Sequence, residues 1–154
     1  MTTKMGYRFA TSVGGTLTGR GGNVIIVDDP LKPEDAMSDA KRTAVNEWFR
    51  RTLYSRQDDK RSAAIVIIMQ RLHVDDLVGH LLTEQAEPWV HLTLPAITQY
   101  DRRVQVGPGQ FQAWPANTPL HPERESQETL EMARQAMGSF NFATQYQQEP
   151  MVPE

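Results

Sequence analysis

An acidic pair, Asp28–Asp29, closes the apolar run Asn23-Val24-Ile25-Ile26-Val27. Carboxylates at the C-terminal end of a buried strand are costly unless they meet water, a metal or a cation. In open α/β sheets, ligands gather at the carboxyl ends of strands. Asp28 therefore has the chemistry to hold Mg²⁺ through its water shell, since Mg²⁺ takes few carboxylates and keeps several waters. Asp29 has the chemistry to orient or deprotonate an attacking water. The competing reading is turn chemistry alone, because Asp residues before Pro30 readily bond nearby backbone N–H groups.

A second candidate group follows another apolar run. Ala63-Ala64-Ile65-Val66-Ile67-Ile68-Met69 leads into Gln70-Arg71-Leu72-His73, with Asp75-Asp76 beyond. A Gln or Arg at such a strand exit could touch a terminal phosphate and report its loss. For Arg71 the alternative is an ion pair with Asp28 or Asp75. His73, Asp75 and Asp76 could ligate a metal, or His73 could be a loop residue ahead of a helix-capping Asp.

These side chains need a scaffold. Val24-Ile25-Ile26-Val27 and Ala63–Met69 lack polar alternation, which predicts strands buried on both faces, as in a parallel sheet. Between them Ser38 or Asp39 is placed to cap a helix running to about Tyr54. Val45, Trp48, Phe49 and Leu53 form one apolar stripe along it. Strand, helix-sized crossover and strand is the spacing of a βαβ unit, so the fold class is α/β, a parallel sheet with flanking helices.

Upstream lies a tract with five glycines in nine positions, Gly14 to Gly22. It does not match the phosphate-cradling loop, which needs Gly, four residues, Gly, then Lys and Ser/Thr before a helix. The tract has no Lys and precedes a strand; Arg20 is its one cation, either facing phosphate or simply on the surface.

Elsewhere, Tyr7–Ser12 and Trp89–Leu94 read as short strands, and Asp75 begins a short helix through Leu82. The stretch from Tyr100 to Pro122 reads as loop or a weak hairpin. Ser126 caps a helix carrying Leu130, Ala133 and Met137, and a short helix and Pro-punctuated tail end the chain.

With 39% hydrophobic and 23% charged residues, 154 residues suit one domain with a sizeable core. The longest apolar run is far short of the roughly 20 residues that span a bilayer, and the N-terminus lacks a signal-peptide core. A soluble, cytoplasmic protein without membrane contact is expected. Zero cysteines exclude disulfides and thiolate metal sites. The net charge of −3 gives no global reason to bind nucleic acid, although Lys41–Arg61 carries seven basic residues against three acids. That stretch could meet phosphates or be a solvated helix face.

Taken together, the chain resembles the large terminase subunits of tailed bacteriophages and prophages. The matching segments run in the family's order: Leu17-Thr18-Gly19-Arg20-Gly21-Gly22, Val24–Pro30, Trp48-Phe49 with Thr52–Arg56, Ile67–Leu77, Leu94-Pro95-Ala96-Ile97, Leu120–Arg124, and Phe142–Pro150. They span most of the chain.

The resemblance implies part of a P-loop-type ATPase domain over residues 1–122, lacking the Walker A strand and loop. Residues 123–154 would be a helix and linker leading toward an RNase H-like nuclease. Asp28 matches the Walker B acid that holds Mg²⁺ beside ATP, Asp29 the catalytic carboxylate, and Gln70 and Arg71 the motif coupling hydrolysis to movement. Many such ATPases carry Glu at the second acidic position; the Asp29 carboxylate is one methylene shorter, so its water must sit closer to the strand.

The implied parent is an ATPase and endonuclease packaging double-stranded viral DNA. Its implied partners are the portal protein, the small terminase subunit and a ring of its own copies, in the host bacterial cytoplasm and at the procapsid portal vertex. Alone, this chain is expected to be inactive and, with a sheet edge open, poorly soluble or associated with a partner. Two alternatives are a non-catalytic module docking on portal or small terminase, and a metal-dependent nuclease using Asp28, Asp29, His73 and Asp75.

Overall fold

Two β-branched side chains in succession restrict the backbone to extended conformations, and both apolar runs form strands. The computed structural model describes residues 2–3, 6–84 and 88–151. Short strands β1 (Thr2–Thr3) and β2 (Gly6–Tyr7) pair antiparallel. β3 (Val24–Asp28) and β4 (Ala64–Ile68) pair parallel, with Val24 opposite Ala64 and Asp28 opposite Ile68. The chain is thus mixed α/β, with a small parallel sheet of two strands and helices flanking it.

The crossover between β3 and β4 is helical. α1 (Asp39–Trp48) runs without a break into a wider π-helical stretch, Phe49–Leu53, and a 3₁₀ turn, Tyr54–Arg56. The stripe holds: Val45, Phe49 and Leu53 are buried, joined in the core by Val27, Leu31, Ala36 and Leu77. Ser38 stands at the N-cap but its hydroxyl makes no capping bond. Arg42 does related work from inside the helix, its Nη1 donating to Ala36 O at 2.8 Å and its Nη2 pairing with Asp39 at 3.3 Å.

α2 (Leu77–Glu84) is capped by Asp76, whose Oδ1 accepts the Gly79 N–H at 2.9 Å. The turn into β4 is organised by Asp59, which accepts from the Arg61 N–H and the Ser62 hydroxyl, each at 3.0 Å. Those bonds, the Arg61 N–H first, hold the Asp59 carboxyl below its ordinary 3.8. A carboxylate depressed on folding supports the fold above its unfolded pKa, and that support is lost as pH falls through the folded value. Ser62→Ala is expected to move the Asp59 carboxyl part-way back toward 3.8, read by NMR titration of the side-chain carbon.

The sheet departs from expectation in one respect. β3 and β4 are each covered on one face only, with Ile25, Val27, Ile65 and Ile67 facing inward. Val24, Ile26, Val66 and Ile68 lie on the other face and are 42–63% exposed. A run without polar alternation signals two apolar faces, but it does not supply the layer that covers the second.

The chain forms two compact units. The first comprises Met1–Met69 and Asp75–Glu84; the second comprises Gln70–Val74 and Gln85–Glu154. In the second, β5 (Arg102–Gly107) and β6 (Gln110–Trp114) make an antiparallel hairpin. α3 (Gln127–Gln145) begins at Ser126, whose hydroxyl accepts the Thr129 N–H. It breaks at Gly138, where φ 81° and ψ 158° lie outside the helical region. Only glycine adopts that geometry at little cost, so the two expected helices meet across a kink at this residue. Leu72, Trp114, Leu130 and Phe142 are among the buried residues of this unit.

Two expected strands do not form. Residues 88–94 are irregular, with Val90 97% exposed, and beyond Tyr7 the chain leaves the β1–β2 pair. Alternation prepares a segment for a sheet, but without a ladder partner it stays open.

Candidate functional site

Asp28 is the last residue of β3, and the parallel register sets it opposite Ile68 at the end of β4. The ladder continues one step further, the Asp29 N–H donating to Ile68 O at 2.9 Å. Asp29 then turns the chain with φ 40°, a left-handed conformation that a residue with a Cβ adopts at a cost of about 1 kcal/mol or more. Pro30 and Leu31 immediately behind are buried, so the reversal is anchored.

Both acids are exposed. Neither carboxylate has a hydrogen-bond or ion-pair partner among the described residues. The turn reading requires an Asp side chain bonded to nearby backbone N–H groups, and no such bond is present there. The reversal is built from backbone and Pro30, and two adjacent carboxylates stand exposed at the carboxyl end of a parallel strand pair.

The glycine tract has a structural task. The Gly22 N–H donates to Arg56 O at 2.9 Å and Gly22 O accepts the Asp58 N–H at 3.2 Å, extending the parallel pairing upstream of β3. A Cβ on Gly21 would collide with the Asp58 side chain and stand 2.9 Å from Arg56 O, so close approach requires glycine there. Arg20 lies over the Phe9 ring at 4.6 Å. The basic stretch from Lys41 to Arg61 is similarly engaged: Arg42 is buried, Arg50 pairs with Glu84, Arg51 with Glu47, and Arg61 with Asp59.

Gln70 and Arg71 follow β4 in the chain and belong to the second unit. There the Arg71 N–H donates to Gln148 Oε1 at 2.9 Å. The positive charge of Arg71 also helps hold the His91 imidazole below its ordinary pKa, after the larger effect of its desolvation. The strand exit is thereby tied to the segment that follows α3.

Its neighbour Gln147 joins two distant segments of this unit. Its Oε1 accepts the Ile97 N–H and its Nε2 donates to Ile97 O, both at 2.9 Å, as a strand neighbour would. The Ala96 N–H donates to Tyr146 O and the Leu120 N–H to Ala96 O. Segments near 96, 120 and 147 therefore meet in one place. In the sequence, adjacent glutamines after a helix give no signal of this; the pairing depends on a partner 50 residues away.

Among the described residues, no group of three or more His, Cys, Asp or Glu side chains is placed to hold a metal. Asp76 is fully buried and caps α2, and His73 lies in the second unit, Asp75 in the first. Among the described residues, no helix is long and apolar enough to cross a membrane. In comparison with known proteins, no family model matches the chain and no curated protein matches it.

Proposed function

We propose that this chain supplies the Walker B half of an ATP-hydrolysing site, in part of a DNA-packaging motor of the large-terminase type. The observation that carries the reading is Asp28–Asp29: two exposed carboxylates without partners among the described residues, at the carboxyl end of a parallel strand pair. The finer fold proposed is a partial P-loop-type ATPase domain built on β3, α1 and β4.

The donor set fits magnesium in this role. Mg²⁺ in nucleotide sites takes one or two carboxylates, several waters and the substrate phosphates, so Asp28 alone suffices from the protein side. The ion would neutralise charge on the phosphates. In this reading Asp29 would be the base that accepts a proton from the attacking water. For Gln70 and Arg71 the resemblance implies a role in sensing the terminal phosphate. The residues present do not fit ATP by themselves: the chain contains no Gly-x-x-x-x-Gly-Lys-Ser/Thr, and backbone amides and Lys of that loop supply most phosphate affinity.

In this reading the partners are double-stranded viral DNA, the portal protein, the small terminase subunit and further copies around the portal, in a bacterial cytoplasm. The purified chain is expected to show no Mg²⁺-dependent ATP turnover above blank. Turnover that Asp28→Ala abolishes would overturn the half-site assignment. The parent reading is tested by sequencing the DNA 5′ of the Met1 codon. It stands on an in-frame Gly-x-x-x-x-Gly-Lys-Ser/Thr within about 150 residues, the size of a domain, and falls without one.

A further inference from the structure

A cleft of about 200 Å³ opens in the second unit. It is lined by residues between Thr93 and Tyr100, by Arg102 at the start of β5, and by Gln147 to Glu149 beyond α3. Much of this lining is fixed. Thr98 and Gln147 are both buried, and the Thr98 hydroxyl donates to Tyr100 O at 2.8 Å. Gln147 is locked by its two bonds to Ile97. A lining already ordered loses little freedom when a ligand enters.

Two opposite charges line the cleft without pairing. Arg102 is half-buried, and its guanidinium lies 5.7 Å from the ring of buried Trp114. It has no hydrogen-bond or ion-pair partner among the described residues. A guanidinium held in this way has a fork of N–H donors to satisfy, and a carboxylate matches that fork with two bonds. Glu149 is the counterpart. Its Oε1 accepts from the Gln99 amide at 3.0 Å, which aims the carboxylate and leaves its other oxygen open among the described residues. A lone anion is drawn by Arg102 and repelled by Glu149, and a lone cation meets the reverse. A molecule carrying both charges gains from both.

We propose that this cleft binds a small zwitterion of the amino-acid class, its carboxylate on Arg102 and its ammonium on Glu149. The size agrees. About 200 Å³ is below the roughly 300–1,000 Å³ of drug-sized sites, so it suits a molecule of a few carbons. Pro95 and Ile97 add apolar surface to the lining, which suits an aliphatic body. Phosphate is poorly matched, because one arginine faces its charge and the Glu149 carboxylate opposes it. The proposal rests on the second unit alone and needs neither the acidic pair nor the ATPase reading.

The test is an NMR titration of the full, ¹⁵N-labelled chain. It is read at the Gln99 side-chain amide and at the Trp114 indole N–H, which donates to Thr118 O at 2.9 Å. The probes are L-leucine and 6-aminohexanoate, with a short and a long charge separation. Saturable shifts are expected with at least one of them. The matching acids without the amino group, 4-methylpentanoate and hexanoate, should bind about tenfold more weakly, the scale of one charge-assisted hydrogen bond. Arg102→Gln is expected to weaken the zwitterion by about tenfold or more. Arg102→Lys keeps the charge, loses the fork and should fall in between. Glu149→Gln keeps an oxygen for the Gln99 amide and should abolish the preference for the zwitterion over its matching acid. No saturable shift with either probe would overturn the proposal. So would inorganic phosphate bound more tightly than both probes, or a zwitterion preference that survives Glu149→Gln in a variant that melts like the parent.

Discussion

Asp28→Ala is expected to lower Mg²⁺-dependent ATP hydrolysis by about 10²–10³-fold, the scale for removing one preorganised electrostatic group, when this chain is joined to a phosphate-loop segment. The two acids should separate kinetically. On the proposed reading, loss of Asp28 removes the carboxylate that would anchor the ion, so it should weaken Mg²⁺–nucleotide binding and slow turnover. Asp29→Asn keeps the size and loses the base, so it should lower kcat and leave nucleotide binding nearly unchanged.

Asp29→Gly separates catalysis from folding most sharply. At φ 40° glycine relieves a strain of about 1 kcal/mol, offset by its greater freedom in the unfolded chain, about 0.5–1 kcal/mol. Thermal stability should therefore hardly change while turnover falls as in Asp29→Asn. A large drop in melting temperature with activity retained would return Asp29 to turn chemistry.

The second large effect is expected at Gln147. Gln147→Leu keeps the volume and strands both the N–H and the carbonyl of Ile97, at a cost of about 2–4 kcal/mol for the two unmet groups. Gln147→Glu is the sharper probe, read by chemical unfolding across pH. Ionised, Glu accepts from the Ile97 N–H but sets a nearly buried charge against Ile97 O; protonated, it donates and restores both bonds. Burial and the facing carbonyl raise its folded pKa above the ordinary value of about 4.3. Its stabilising contribution is therefore full below that value and lost as pH rises through the folded pKa. A Gln147→Glu protein equally stable at low and neutral pH would rule out the two-pronged bond as a stabilising element. The same titration bears on Arg71, whose backbone is held by the adjacent Gln148.

The sequence by itself determined the elements set by local physics. β-Branched runs made β3 and β4, the four-residue spacing of Val45, Phe49 and Leu53 made a helix with one buried stripe, and Ser126 began α3 as a cap. The strand–helix–strand spacing also carried the parallel pairing, because a helix-length crossover returns the chain in the same direction. Only the tertiary structure decided three other matters. It left one face of the β3–β4 pair uncovered, since periodicity records how apolar a strand is and not what lies on it. It raised residues 102–114 from a weak hairpin to a ribbon with two arginines stacked on rings, because that registry depends on cross-strand neighbours. At the acidic pair the sequence named the residues and the end of the strand. The left-handed backbone at Asp29, and two carboxylates the turn does not use, depend on the buried anchor of Pro30 and Leu31 and the continued ladder to Ile68.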